Sequence, residues 1–130
     1  IGRISDCAEH TATVTTVASQ ACRLSVVLSG SLQTGILSGI GTQKWRQRPA
    51  CVVDFLPPET EAAVGDMVWT SGLGGTVPSG LAVGRVAAGR GSPVVEVVDG
   101  AHARVPVDPG AAFGRVRFVA VVCPAEVAAR

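Results

Sequence analysis

The side chains with the most chemical potential are His10, Asp54, Asp66 and Ser71, which occur in the order His, Asp, Ser. On a pair of β-barrels that order can supply a general base, an orienting carboxylate and a nucleophile for acyl transfer, with Ser71 attacking. Gly72, Gly74 and Gly75 follow Ser71, so backbone N–H groups are at hand for an oxyanion. Three features oppose a hydrolase. The stretch Trp69-Thr-Ser-Gly-Leu-Gly-Gly75 lacks the Gly-Asp-Ser-Gly-Gly surround of double-barrel serine proteases. Asp66 sits beside Gly65 in a turn, where an Asp naturally hydrogen-bonds its own backbone. His10 has polar and Thr neighbours of the kind found where a strand begins. A structural role for all three residue types is therefore expected, and hydrolysis through Ser71 is the alternative.

Other chemistries find less material. Cys7 and His10 form a C-x-x-H, but no second close pair completes a tetrahedral metal set, so no metal is expected. Cys7, Cys22, Cys51 and Cys123 are widely spaced; they read as small apolar side chains, with a disulfide among them left open. Neither a phosphate-binding glycine loop nor a nucleophile elbow occurs, and no cofactor is expected. His102, next to Arg104, reads as a solvated or rim histidine, and Glu59 and Glu61 as a soluble turn. Two Trp, three Phe and no Tyr leave little surface for stacking bases or sugars, which argues against a carbohydrate-binding barrel. The net charge is +1, and the densest basic group is Lys44-Trp-Arg46-Gln-Arg48, too small a footprint for nucleic acid.

The elements that must position these residues are strands. One hundred and thirty residues make one compact domain or two very small ones. Hydrophobic residues are 47% and charged ones 16%, against about 25% charged in ordinary soluble domains, so a packed core is expected. Sixteen Gly and eight Pro punctuate short Val-, Thr-, Ile- and Leu-rich runs without helical periodicity. That is an all-β pattern. Strands are expected at residues 2–8, 12–18, 22–28, 33–38, 50–56, 67–71, 81–88, 94–98, 102–107 and 115–122. In 102–108, Ala103, Val105 and Val107 share one face; in 115–122, Val116, Phe118, Ala120 and Val122 do. The run at 94–98 is apolar enough for burial on both sides. Pro57-Pro58 ends a strand, since neither residue can donate to a ladder. Residues 39–49 form the longest polar loop and carry Trp45, either packed on a barrel rim or exposed as a partner anchor. The longest apolar run, 118–123, is six residues, far short of the roughly 20 a membrane helix needs. With no leader and Ile1 first, the chain reads as an excised fragment.

One segment, Gly65-Asp-Met-Val-Trp-Thr-Ser-Gly-Leu-Gly-Gly-Thr-Val-Pro-Ser-Gly-Leu-Ala-Val-Gly-Arg-Val86, resembles the signature of the MreC family of bacterial rod shape-determining proteins. Phe55-Leu-Pro-Pro-Glu, Gln33-Thr-Gly-Ile-Leu-Ser-Gly and Ile1-Gly-Arg-Ile resemble further family strands, and the last is echoed within the chain by Val83-Gly-Arg-Val86. The resemblance is good to about Val98 and only one of pattern beyond. It implies two small β-barrels in a chymotrypsin-like double-barrel arrangement without a catalytic triad. Residues 1–31 would close a partly present first barrel, and 32–130 would form the second. Gly65, Asp66, Thr70, Ser71, Gly72, Leu73, Gly74, Gly75, Pro78, Gly80 and Gly84 would then specify fold: turns, a tight reversal where a Cβ would clash, and a close strand approach at Gly84. The resemblance further implies a non-catalytic scaffold of the elongation machinery, which maintains rod shape. Such a scaffold associates with itself as a dimer or filament, binds MreD and other elongasome membrane proteins, and regulates a class B penicillin-binding transpeptidase. It would stand at the periplasmic face of the inner membrane, held by an N-terminal helix absent from this chain. Trp45, Leu73 and Leu81 are the candidate contact residues.

Overall fold

The computed structural model describes residues 1–40, 51–75, 77–87, 94–110 and 116–122. Among them are β1 (Gly2–Cys7), β2 (Ala12–Thr16), β3 (Arg23–Leu28), β4 (Thr34–Gly39), β5 (Cys51–Leu56), β6 (Met67–Thr70), β7 (Ala82–Val86), β8 (Glu96–Val98) and β9 (His102–Pro109). Every pairing is antiparallel. Strands β5-β4-β3-β6-β7-β9 run side by side, and a β5–β9 pairing closes these six into a barrel. β1 and β2 form a separate two-stranded sheet.

The barrel follows from side-chain alternation, which places every second residue inside. Leu24, Val26 and Leu28 of β3 are buried, as are Val68 of β6, Val86 of β7, and Ala103, Val105 and Val107 of β9. They meet Leu37, Cys51, Val53 and Leu56 in one core cluster. β5 begins on the same period, with Cys51 and Val53 inward, which would next turn Phe55 in. Instead the register shifts between Val53 and Leu56, and Phe55 takes a left-handed φ of +61°. This bulge skips one residue, so Leu56 enters the core and Phe55 stays outside. The β8–β9 hairpin turns through the three residues Asp99, Gly100 and Ala101, the first two at positive φ, with Ala101 N–H donating to Val98 C=O at 3.0 Å.

The β1–β2 hairpin is joined to the barrel by residues 17–22. Val17 and Ala18 are buried, Gly39 N–H donates to Ser19 C=O at 3.2 Å, and the Cys51 thiol donates to Val17 C=O at 3.1 Å. Glycine is needed at 39 because a Cβ there would overlap the Ala18 carbonyl.

Nine of the ten expected strands are present, with bounds moved by a residue or two. Three expectations change. Residues 116–122 form no strand and are exposed throughout, because the barrel already closes through β5 and β9 and offers them no edge. The run at 94–98 is not buried on both sides. Only 96–98 is strand, it pairs with β9 alone, and Glu96 and Val97 face solvent. Finally, β3 lies within residues 1–31, the stretch expected to close a first barrel, yet it pairs with β4 and β6 inside the closed ring.

Candidate functional site

The motif at residues 65–86 builds β6, β7 and the reversal between them. Gly65, at φ +94°, donates its N–H to Val86 C=O at 2.9 Å, while the Asp66 carboxylate accepts the Ala63 N–H at 3.0 Å. Thr70 is buried and holds the reversal from below. Its hydroxyl donates to Pro78 C=O at 2.6 Å and accepts the Leu81 N–H at 2.9 Å. Its backbone adds Thr70 N–H to Leu81 C=O at 2.8 Å and Gly80 N–H to Thr70 C=O at 2.9 Å. Gly72, Gly74, Gly75 and Gly80 all have positive φ, from +73° to +92°. Lack of room explains only the first: a Cβ at Gly72 would approach Ser79 Cβ to 2.9 Å, whereas Gly74, Gly75 and Gly80 have open space around them. Backbone conformation, more than crowding, demands these glycines. Gly84 is the position of close approach, since a Cβ there would overlap the Asp108 carbonyl across the β7–β9 seam. The reversal leaves Leu73 62% exposed, and Leu81 is exposed at its exit. Trp45, the third candidate contact residue, lies outside the described residues.

His10, the aspartates and Ser71 are not brought together. His10 is exposed in the β1–β2 turn, 3.8 Å from Glu9. Asp66 is occupied by its local turn, and the Ser71 hydroxyl accepts the Leu73 N–H at 3.3 Å while its N–H reaches Ser25 C=O. Asp54 belongs to a cluster that sequence order hid. Its Oδ2 accepts Arg104 Nε at 3.2 Å and Nη2 at 2.9 Å, and its Oδ1 lies 3.2 Å from His102 Nε2 and accepts the Phe55 N–H at 3.0 Å. The Phe55 ring stacks, tilted, 5.2 Å from the His102 ring. Partial burial pushes the Asp54 carboxyl up. The Arg104 and Phe55 hydrogen bonds, with the Arg104 and His102 charges, outweigh it and hold the group below its ordinary value. His102 is thus half-buried against a carboxylate, where a solvated rim position was expected. The alternation of β9, with His102 and Arg104 on one face, was the available signal; the fifty-residue separation from Asp54 concealed the partner.

Cys7 is an exposed free thiol, and Cys22 and Cys51 are free and buried. Burial, followed by the neighbouring Cys22 and Asp108, pushes the Cys51 thiol up to about 11. Burial likewise raises Cys22 against the lowering influence of Arg3 and the N-terminus. Neither thiol is poised as a nucleophile. Among the described residues no group of three His, Cys, Asp or Glu side chains is placed to hold a metal ion.

Fold and motif together define a closed six-stranded antiparallel barrel, with an appended hairpin, built around a glycine-rich reversal whose polar side chains bond backbone. The chain belongs to the MreC family: the model of rod shape-determining protein MreC, barrel core, matches residues 1–123. The match therefore runs well past Val98. A curated relative, the cell shape-determining protein MreC of Cereibacter sphaeroides, is 30% identical over 122 residues, covering 94% of this chain and 35% of its own length. The chain thus spans about a third of that relative. Among solved structures, MreC of Listeria monocytogenes is 26% identical with a TM-score of 0.70, covering 85% of this chain and 50% of its own. MreC of Pseudomonas aeruginosa, at 22% identity and a TM-score of 0.72 over 90% of this chain and 69% of its own, shares the fold. A third, described as a complex between penicillin-binding protein PBP2 and MreC from Helicobacter pylori, is 28% identical with a TM-score of 0.54, covering 75% of this chain and 54% of its own.

Proposed function

We propose that this chain is a non-catalytic docking domain of a scaffold in the cell-elongation machinery. The scaffold maintains rod shape by associating with itself and by binding and regulating proteins of lateral-wall peptidoglycan synthesis. The observation that carries this reading is the family match over residues 1–123. The solved neighbour described as a complex of PBP2 with MreC supports a class B penicillin-binding transpeptidase as one partner. A dimer or filament of the scaffold, MreD, and an N-terminal membrane helix outside this chain, holding it at the periplasmic face of the inner membrane, complete the proposal. The hairpin β1–β2 belongs in this reading to a first β unit, and the closed barrel is the second. Support for the absence of catalysis comes from the dispersal of His10, Asp54, Asp66 and Ser71 into separate local networks.

The exposed Leu73 and Leu81, with Trp45, are the proposed contact residues. Leu73→Asp should weaken co-purification of the transpeptidase at least tenfold and leave the β circular dichroism unchanged. A full-length scaffold that stays monomeric and ignores the transpeptidase would refute the proposal. Labelling of Ser71 by a fluorophosphonate, abolished by His10→Ala, would restore the hydrolase.

A further inference from the structure

Alternating strand directions sort the barrel's connections onto two ends. Residues 29–33, 57–66 and 94–101 lie at the end where β3, β5 and β7 finish. The glycine reversal and the join to the β1–β2 hairpin lie at the other. The two ends treat left-handed backbone differently. Around the reversal, the positive φ angles among the described residues all fall on glycines: Gly72, Gly74, Gly75 and Gly80. At the first end they also fall on residues with side chains, Leu32 at +57°, Phe55 at +61° and Asp99 at +53°. Asp tolerates this region, whereas in leucine and phenylalanine the Cβ crowds the following carbonyl. Burial would offset that strain, but Leu32 is 75% and Phe55 58% exposed. Strain kept by side chains that add nothing to the core points to a use for those side chains.

The two are held near one another. The β4–β5 register, with Ile36 opposite Asp54, sets Phe55 beside the start of β4, which the turn carrying Leu32 feeds. Ser29 N–H donates to Met67 C=O at 2.9 Å and Ser29 Oγ accepts the Met67 N–H at 3.1 Å, so the same turn lies beside the connection that exposes Val64. This end is also acidic. Its described connections carry Glu59, Glu61, Asp66, Glu96 and Asp99 and no Lys, Arg or His. The nearby cations, Arg104 and His102, face the Asp54 carboxylate, while Glu59, Glu61 and Glu96 are exposed. Finally, the buried side-chain oxygens without a hydrogen-bond partner among the described residues, Ser31 Oγ and Thr60 Oγ1, are both here, and Thr60 is only 6% exposed. Folded proteins seldom leave such groups unpaired, and a polypeptide laid across the rim brings backbone groups that can pair them once the connection adjusts.

We propose that this end of the barrel docks a segment of a partner polypeptide in which basic and apolar side chains alternate. The apolar ones meet Leu32, Phe55 and Val64, and the basic ones Glu59, Glu61 and Glu96. Charge selects this occupant, because an acidic rim repels anionic lipid, nucleic acid and acidic peptides alike. The site is separate from the reversal and does not depend on what binds there.

Fluorescence anisotropy with the full-length protein tests this. The probes are the labelled peptide Lys-Leu-Lys-Phe-Lys-Leu-Lys and its counterpart with Glu in place of every Lys. The Lys peptide is expected to bind at least tenfold more tightly than the Glu peptide, and less tightly as salt rises. Phe55→Gly and Leu32→Gly each remove a side chain and relieve the backbone, so binding should weaken at least fivefold while the thermal unfolding midpoint holds or rises. Glu61→Lys should weaken binding at least threefold. Glu9→Lys, the same charge change on the β1–β2 hairpin, should alter it less than twofold. No binding of the Lys peptide, equal affinity for both peptides, or indifference to Phe55→Gly and Glu61→Lys would overturn the proposal. So would a lower midpoint in both glycine variants, since the strained side chains would then serve the fold. Phe55→Trp in protein reconstituted into vesicles should add emission that brominated phosphatidylglycerol does not quench; quenching would assign the rim to a lipid surface instead.

Discussion

Replacing Thr70 with Val removes one hydroxyl and almost no volume. That hydroxyl is the hinge pin of the reversal, because it binds the Pro78 carbonyl at 2.6 Å and the Leu81 N–H at 2.9 Å from a buried position. Valine leaves both backbone groups unpaired. An unsatisfied buried polar group costs about 1–3 kcal/mol, and water reaching the exposed Leu81 relieves part of one, so a loss of about 2–3 kcal/mol is expected. Thr70→Ser keeps both bonds and removes a single methyl, for about 1 kcal/mol. Ser71→Ala, whose hydroxyl makes only a 3.3 Å contact to the Leu73 N–H, should cost less than about 1 kcal/mol. Urea unfolding with unchanged slope, and amide exchange at Gly80 and Leu81, separate the three. Thr70→Val falling no further than Thr70→Ser would refute the reasoning. The reversal would then be held by glycine conformation alone, and the hydroxyl would be free for some other role.

Further outcomes follow from single contacts. Gly84→Ala forces a Cβ onto the Asp108 carbonyl at the β7–β9 seam, where both sides are backbone; a loss above about 3 kcal/mol or failure to fold is expected, and an unchanged unfolding midpoint would contradict the barrel closure. Gly39→Ala presses on the Ala18 carbonyl; amide exchange should quicken across residues 16–22 while β6 and β7 stay protected. Asp54 has a lowered pKa in the folded chain, so its contribution is fully present above the ordinary carboxylate value of 3.8 and is lost as pH falls through the lower folded value. Asp54→Asn should flatten that part of the acid-unfolding curve and cost about 1–2 kcal/mol at pH 7, a modest figure because Arg104 is 41% exposed.

How much of this was legible depended on whether neighbours in sequence are neighbours in space. The inward faces of β3, β4, β6 and β9 follow directly from alternating residues such as Leu24, Val26 and Leu28, because a strand's period is local. The turn at Gly65-Asp66 and the close approach at Gly84 were equally readable, each from a glycine with a specific structural demand. The bulge at Phe55 was not: neither glycine nor proline marks it, and the competition between Phe55 and Leu56 for the core is decided by β9 across the sheet. Residues 116–122 carry the same alternation as β9, and pattern cannot distinguish a strand that has an edge from one that lacks it. Asp54, His102 and Arg104 were visible singly, and only the β5–β9 pairing shows that they share a carboxylate.

Closure of the barrel determines where association can occur. A ring of six strands consumes its own backbone edges, which are the commonest template for protein–protein pairing. Among the described residues, other surfaces carry exposed apolar side chains, the reversal and the β1–β2 sheet among them. The glycine reversal exposes Leu73 on a rigid, multiply bonded support, suited to meeting a pre-shaped apolar pocket with little loss of entropy. The β1–β2 sheet presents Ile4 and Val14, paired with each other and both exposed. Leu73→Asp should therefore weaken docking at the reversal without affecting contacts made through Ile4 and Val14, and Val14→Asp should do the reverse. If either substitution disabled both, the barrel and hairpin would have to be acting as one surface.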